Sequence, residues 1–296
     1  MAKGEENARL ATANAYLKAL DKVSDRETKA FIIRQLQLLG KDECVDTLAS
    51  YLNDENLSGP AARALSAIRT DNAKKVLVAS LMRRSGTPKT QKDIIRAIAD
   101  VQIADAENVL KAMLGSSDEN MQKEVLYALS RVGSKASLSD LAAVAEKAGY
   151  KMEKTGANEA YIALIKRVLE QGDTKDAEKA ANDLLKKSTK AGMTQTREAA
   201  LQILLAAKPE AATKNLLSAL KDTDKGYRNA ALNFASGFAD QNVYIEVMKH
   251  MLKAKPEVKV DILNWIGRES KCPSKHDMIK NLELRFDLPA KQVLLE

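Results

Sequence analysis

One spacing recurs through nearly the whole chain and restricts what it can fold into. An apolar residue is followed three positions later by a second, then by a polar turn, and nine positions after the second by a third. The anchors are Leu36/Leu39/Leu48, Leu65/Ile68/Leu77, Ile98/Val101/Leu110, Leu129/Val132/Leu141, Ile165/Val168/Ala177, Leu204/Ala207/Leu216, Ala235/Phe238/Val247 and Ile266/Glu269/Met278, with Glu269 alone breaking the apolar rule. The first anchors advance in steps of 29, 33, 31, 36, 39, 31 and 31 residues. A period of that size holds one pair of helices, which cannot bury its own apolar face, so the units must stack on one another.

Each first anchor closes a segment with apolar spacing of three and four, such as Ala30 to Leu36 or Ala199 to Leu204, which predicts the first helix of a hairpin. Breakers and caps follow: Gly40-Lys41-Asp42, Thr70-Asp71-Asn72, Gly133-Ser134-Lys135, Gly172-Asp173-Thr174, Lys208-Pro209-Glu210 and Asp240-Gln241-Asn242. Glycine there suits a left-handed C-cap, and Asp, Ser, Thr or Asn can accept from the free N–H groups that open a second helix. Composition agrees. Only 4% of the residues are aromatic, and the chain is rich in Ala, Leu, Lys and Glu, so an all-β fold is excluded. The expected fold is all-α: a superhelical solenoid of about eight hairpins over residues 1–296, preceded by a half repeat at 5–22 with Leu10, Ala13, Leu17 and Leu20 on one stripe. The two longest steps flank the fifth unit, so residues 150–195 are expected to change the curvature locally.

The formal charge of +7 makes acidic partners relevant, but the excess is thin: +2 up to Gly149 and +5 after it, with acids interleaved and lysines outnumbering arginines more than two to one. Cys44 and Cys272 lie in different units, which argues against a disulfide framework, and Cys44 reads as a buried apolar position. No run approaches a membrane span or a signal sequence. The chain opens in mid-helix and closes on an apolar helix start, Pro289 to Glu296, which suggests a piece of a longer protein.

Segments Ala128-Leu129-Ser130-Arg131-Val132-Gly133 and Ala64-Leu65-Ser66-Ala67-Ile68 resemble the HEAT-repeat family. The resemblance implies a right-handed superhelix, with first helices convex and second helices concave. More narrowly, Ala15 to Val23 and Lys29 to Gln37 are similar to HEAT arrays of large exported gut-bacterial proteins that also carry a domain of the 3-keto-disaccharide hydrolase type. That likeness implies a periplasmic or exported scaffold beside a sugar-related domain.

No catalytic or cofactor motif stands out. His250 and His276 are isolated, Cys272 and His276 supply only two metal ligands, and no glycine pair is spaced to cradle phosphate, so no catalytic, cofactor or metal residue is assigned. One polar column lies seven residues before the first anchors: Lys29, Ser58, Gln91, Gln122, Asn158, Arg197, Arg228 and Lys259. Its bases are expected to form a ladder with turn acids, Asp25, Asp222 and Asp224 among them, or to meet a ligand. Among aromatics, Trp265 reads as core, whereas Tyr150 and Tyr227 fall in turns and read as free to bind. The binding candidates are therefore Arg197, Arg228, Lys259, Tyr150 and Tyr227. The expected function is a non-catalytic scaffold whose concave face holds a protein segment or a neighbouring domain of the same polypeptide. Nucleic acid is the alternative, requiring an acid-free basic stripe to which Lys179 to Lys190 come closest, with Glu178 and Asp183 interrupting. A lyase or a carbohydrate-associated accessory domain is the third reading.

Overall fold

The computed structural model describes residues 3–269, which form sixteen α-helices and no strand. Helix α1 (Lys3–Lys22) is the half repeat. Seven hairpins follow: α2 (Arg26–Leu39) with α3 (Val45–Ser50), α4 (Ser58–Ile68) with α5 (Asp71–Arg83), α6 (Pro88–Asp100) with α7 (Glu107–Lys111), α8 (Glu119–Val132) with α9 (Leu138–Lys147), α10 (Ala157–Glu170) with α11 (Thr174–Ala191), α12 (Thr194–Ala207) with α13 (Ala212–Ala219), and α14 (Lys225–Ala235) with α15 (Gln241–Lys253). Helix α16 (Pro256–Arg268) is the first helix of the eighth, and Met278 and His276 lie outside the described residues.

The chain divides into two compact units inside the fifth hairpin. One comprises residues 1–148 and 152–167, the other 149–151 and the residues from 168 onward. Within the first unit the first helices pack in series, α2 on α4, α4 on α6 and α6 on α8, while α3 packs on α5. Within the second, α12 packs on α14 and α14 on α16, with α13 on α15 behind them. Each unit is thus a two-layer stack of hairpins.

The anchors explain the stacking. Leu36, Leu48, Leu65, Leu77, Ile98, Leu110, Leu129 and Leu141 are fully buried in the first unit, as are Ala177, Leu216, Ala235 and Val247 in the second. Each such leucine contributes about 1.5–3 kcal/mol by leaving water. Leu10, expected on the same stripe of α1, is instead 39% exposed, whereas Ala13 and Leu20 are fully buried.

The caps fall largely where the turn chemistry predicts. Asp25, Thr70, Thr87, Asp118, Asp224 and Asp240 each accept from a backbone N–H in the first turn of the helix they precede. The glycines differ from expectation. Gly40 and Gly133 have φ of −70° and −63°, not left-handed values; a Cβ there would lie 2.6 and 2.5 Å from the carbonyl oxygens of Leu36 and Leu129, so close approach is what demands glycine. Gly172 does adopt the left-handed region, with φ 90°.

Polar bonds between successive hairpins fix their register. Arg9 ties α1 to the first hairpin by donating to the Leu39 carbonyl at 2.7 Å and pairing with Glu43. Glu107 accepts from the Ser134 N–H at 2.9 Å and from the hydroxyls of Ser134 and Ser137 in the next hairpin. Burial pushes the Glu107 carboxyl up, but these donors and Lys111 outweigh it and hold the group below the usual carboxylate range. A value depressed by folding gives stability that is complete above the unfolded pKa and lost as pH falls through the folded one. Glu107→Gln is therefore expected to cost about 1 kcal/mol near neutrality and to flatten the loss of stability below about pH 4.5, as urea midpoints across the acid range would show.

Candidate functional site

The polar column ahead of the anchors lands at the N-terminal ends of the first helices, facing the preceding turns. Gln91 and Gln122 each donate to a carbonyl of that turn, those of Arg84 and Leu114. Arg228 does the same more strongly, sending Nη1 to the carbonyls of Asp222 and Thr223, both at 3.0 Å. Its other edge pairs with Asp261 of α16, Nε at 2.8 Å and Nη2 at 2.6 Å, and both side chains are almost wholly buried. Ser58 repeats that link in the first unit by donating to Asp93 at 2.6 Å.

Two members of the column border cavities, Gln91 in the first unit and Arg197 in the second, and only Arg197 brings a charge to its cavity. Its Nη2 pairs closely with the Asp222 carboxylate, and Nη1 lies 3.7 Å from Asp224. The guanidinium lies over the Tyr227 ring at 4.1 Å, while Nε is buried with no hydrogen-bond partner. Asp224 caps α14 and accepts the Thr194 hydroxyl, and that bond with its backbone partners keeps its carboxyl below the usual range against the effect of burial. Burial pushes the Tyr227 phenol up to about 12. Arg197 and Tyr227 both line a cleft of about 300 Å³ bordered by the second helices α11 and α13. Asn182, Leu185 and Thr189 line it from α11, and Asn215, Ser218 and Ala219 from α13.

The candidates thus separate. Arg197 and Tyr227 meet at the cleft, and Asp222 and Asp224 are the ladder partners expected of Arg197. Arg228 is closed within its own network and presents nothing to a ligand, because both edges of its guanidinium are engaged. Lys259 is half-buried on α16, away from the cleft residues in sequence, and makes contacts of its own. The reading of Tyr150 and Tyr227 as exposed turn aromatics fails: they are 6% and 4% exposed. The Tyr150 turn folds back so that its carbonyl accepts the Thr196 hydroxyl at 2.7 Å, and Tyr227 is covered by Arg197. Lys29 does not pair with Asp25, which is occupied by Thr28; the lysine ammonium lies 5.6 Å from the centre of the Tyr51 ring. Trp265 is core, as expected, stacked on Tyr244 at 5.1 Å.

Sequence reading missed a second column. Two residues after the first anchors, Arg131 and Arg167 each donate Nε at 3.0 Å to the carbonyl of Ala99 or Gly133 in the preceding hairpin, satisfying groups left open at a helix C-terminus. Arginine recurring at that offset was the available signal. Among the described residues no group of three or more His, Cys, Asp or Glu is placed to hold a metal, and no helix is long and apolar enough to cross a membrane.

The family model described as HEAT repeats matches residues 78–162, from within α5 into α10. Over this stretch the chain matches the HEAT-repeat pattern. The hairpins on either side of it repeat the same helix, turn and helix order, with apolar anchors buried at the same places. No curated protein matches the chain. Among solved structures, the crystal structure of an engineered protein aligns over 96% of this chain and 93% of its own, at 19% identity and a TM-score of 0.41, a likeness too loose to transfer anything to this chain.

Proposed function

We propose that this HEAT-repeat chain is a non-catalytic interaction scaffold that docks a protein segment, or a neighbouring domain of its own polypeptide, on the second-helix layer. HEAT repeats commonly serve as interaction scaffolds, and the cleft between α11 and α13 supplies the contact site. The observation that carries the reading is the chemistry of its walls. Two asparagines, a serine and a threonine offer neutral donors and acceptors beside Leu185, Leu201 and Leu204, while its charged groups, Arg197 and Asp222, are already paired with each other. Such a lining suits a side chain with an apolar body and a polar tip.

Ser218→Trp tests this by filling the cleft from an exposed position on α13. The wild-type chain is expected to retain a protein from an extract of the source cells that the Ser218→Trp variant, with unchanged far-UV circular dichroism, fails to retain. Retention of the same protein by both forms would place the contact elsewhere, and a retained species that disappears on nuclease treatment would favour nucleic acid.

A further inference from the structure

We infer that the exposed side of α11 is a docking track for an acidic protein segment, one that runs along the helix and sets an anchoring side chain into the neighbouring cleft. This rests on the scaffold reading above and names the partner's chemistry. In sequence order the lysines of this helix look interrupted by Glu178 and Asp183. On the helix they are sorted. At about 100° per residue, Lys175, Lys179, Lys186 and Lys190 fall within an arc of about 60° and extend over about 22 Å. All four are exposed, and none is in an ion pair with a described residue. Glu178 falls on the cleft side of the helix, about 60° from Lys175, and is held by Lys208 at 3.2 Å. Asp183 borders the track on the flank opposite the cleft.

The cleft residues Asn182, Leu185 and Thr189 occupy the adjoining arc of the same helix, so charge and pocket form one continuous surface. The lysines repeat at offsets of 4, 7 and 4 residues, the rhythm of acidic side chains on a helix lying alongside. A cleft of about 300 Å³ has room for one large side chain of that partner.

Nucleic acid fits this surface less well. Phosphate recognition favours the arginine fork, yet Arg197, which lines the adjoining cleft, and Arg228 on α14 are consumed by Asp222 and Asp261. Base stacking needs exposed rings, and the aromatic side chains that stand exposed among the described residues, Phe31 and Tyr127, both belong to the first unit.

The test uses the full chain and three labelled probes in fluorescence anisotropy: poly-L-glutamate, a glutamate-rich peptide with one central tryptophan, and oligothymidylate of matched charge. Wild type is expected to bind both peptides, the tryptophan-bearing one more tightly. Lys179→Glu/Lys186→Glu is expected to weaken both by about tenfold or more at low salt, with the difference shrinking toward about 0.15 M salt, where the Debye length falls to about 8 Å. Ser218→Trp is expected to abolish only the preference for the tryptophan-bearing peptide. Equal binding of poly-L-glutamate by wild type and the charge-reversed variant would overturn the proposal, as would tighter binding of oligothymidylate than of either peptide. If the charge-reversed variant still retains the cellular partner that Ser218→Trp loses, the scaffold reading stands and the acidic partner falls.

Discussion

Asp261→Ala is expected to destabilise the second unit by about 3–5 kcal/mol, because removing one member of a buried ion pair leaves the other charge without compensation. Arg228 would keep its two bonds to the carbonyls of Asp222 and Thr223, but its Nε and Nη2 would face a protein interior from which water is excluded. The pair joins α14 to α16, so its loss also weakens the contact between consecutive first helices. Chemical denaturation followed by far-UV circular dichroism reads the effect directly. Arg228→Met/Asp261→Leu, which removes both charges, is expected to cost far less than either single change, since the desolvation of the two groups disappears with them. A small loss in Asp261→Ala would mean that the guanidinium finds water after all.

Trp265→Ala should cost a similar amount, about 3–5 kcal/mol, by opening a cavity that the surrounding helices fill only in part. The indole is 1% exposed, stacks on Tyr244, and donates Nε1 to the Ser236 hydroxyl at 3.0 Å. Ser236 in turn donates to Glu269, whose second oxygen accepts the Tyr244 hydroxyl at 3.1 Å. Trp265→Phe keeps most of the volume and loses only the N–H, so its cost should be nearer 1 kcal/mol. The ratio of the two losses separates packing from the hydrogen-bonded chain, and near-equal losses would assign the site to the polar network. That network also accounts for the odd anchor: Glu269 stands where seven other hairpins place an apolar residue because two hydroxyls converge on it.

The repeat was legible in the sequence because burial selects residue type at fixed intervals. Leu65 and Leu77, or Leu129 and Leu141, can be paired by spacing alone, and α1 through α16 follow from them. What spacing does not convey is the partner of a polar residue. The position of Arg228 was visible as one of a column, but Asp261 is 33 residues away and is chosen by how α14 meets α16. The fate of Tyr150 and Tyr227 was misread for a related reason: a turn is exposed only if neighbouring hairpins leave it so, and here Arg197 lies over Tyr227 and the Thr196 hydroxyl bonds the Tyr150 carbonyl. Several second helices open with a 3₁₀ turn, at Asp42–Cys44, Ala104–Ala106, Lys135–Ser137 and Pro209–Ala211, which shortens them in a way no residue pattern announces. The lysine track was written in the sequence but concealed by its linear order, since Glu178 and Asp183 stand between lysines along the chain and beside them on the helix.

Burial has also placed one distinguishable optical or chemical label in each unit. Cys44 lies in the first unit with no exposed surface, its thiol pushed up to about 11 by burial and by Glu43, so the folded protein shields it from alkylation. Trp265, the sole tryptophan, lies in the second and emits from a dry interior. In a Cys272→Ser background, thiol modification therefore clocks the opening of the N-terminal hairpins while indole emission follows the C-terminal ones. Whether the two halves of the array melt together or one after the other can be watched in a single sample without adding a dye.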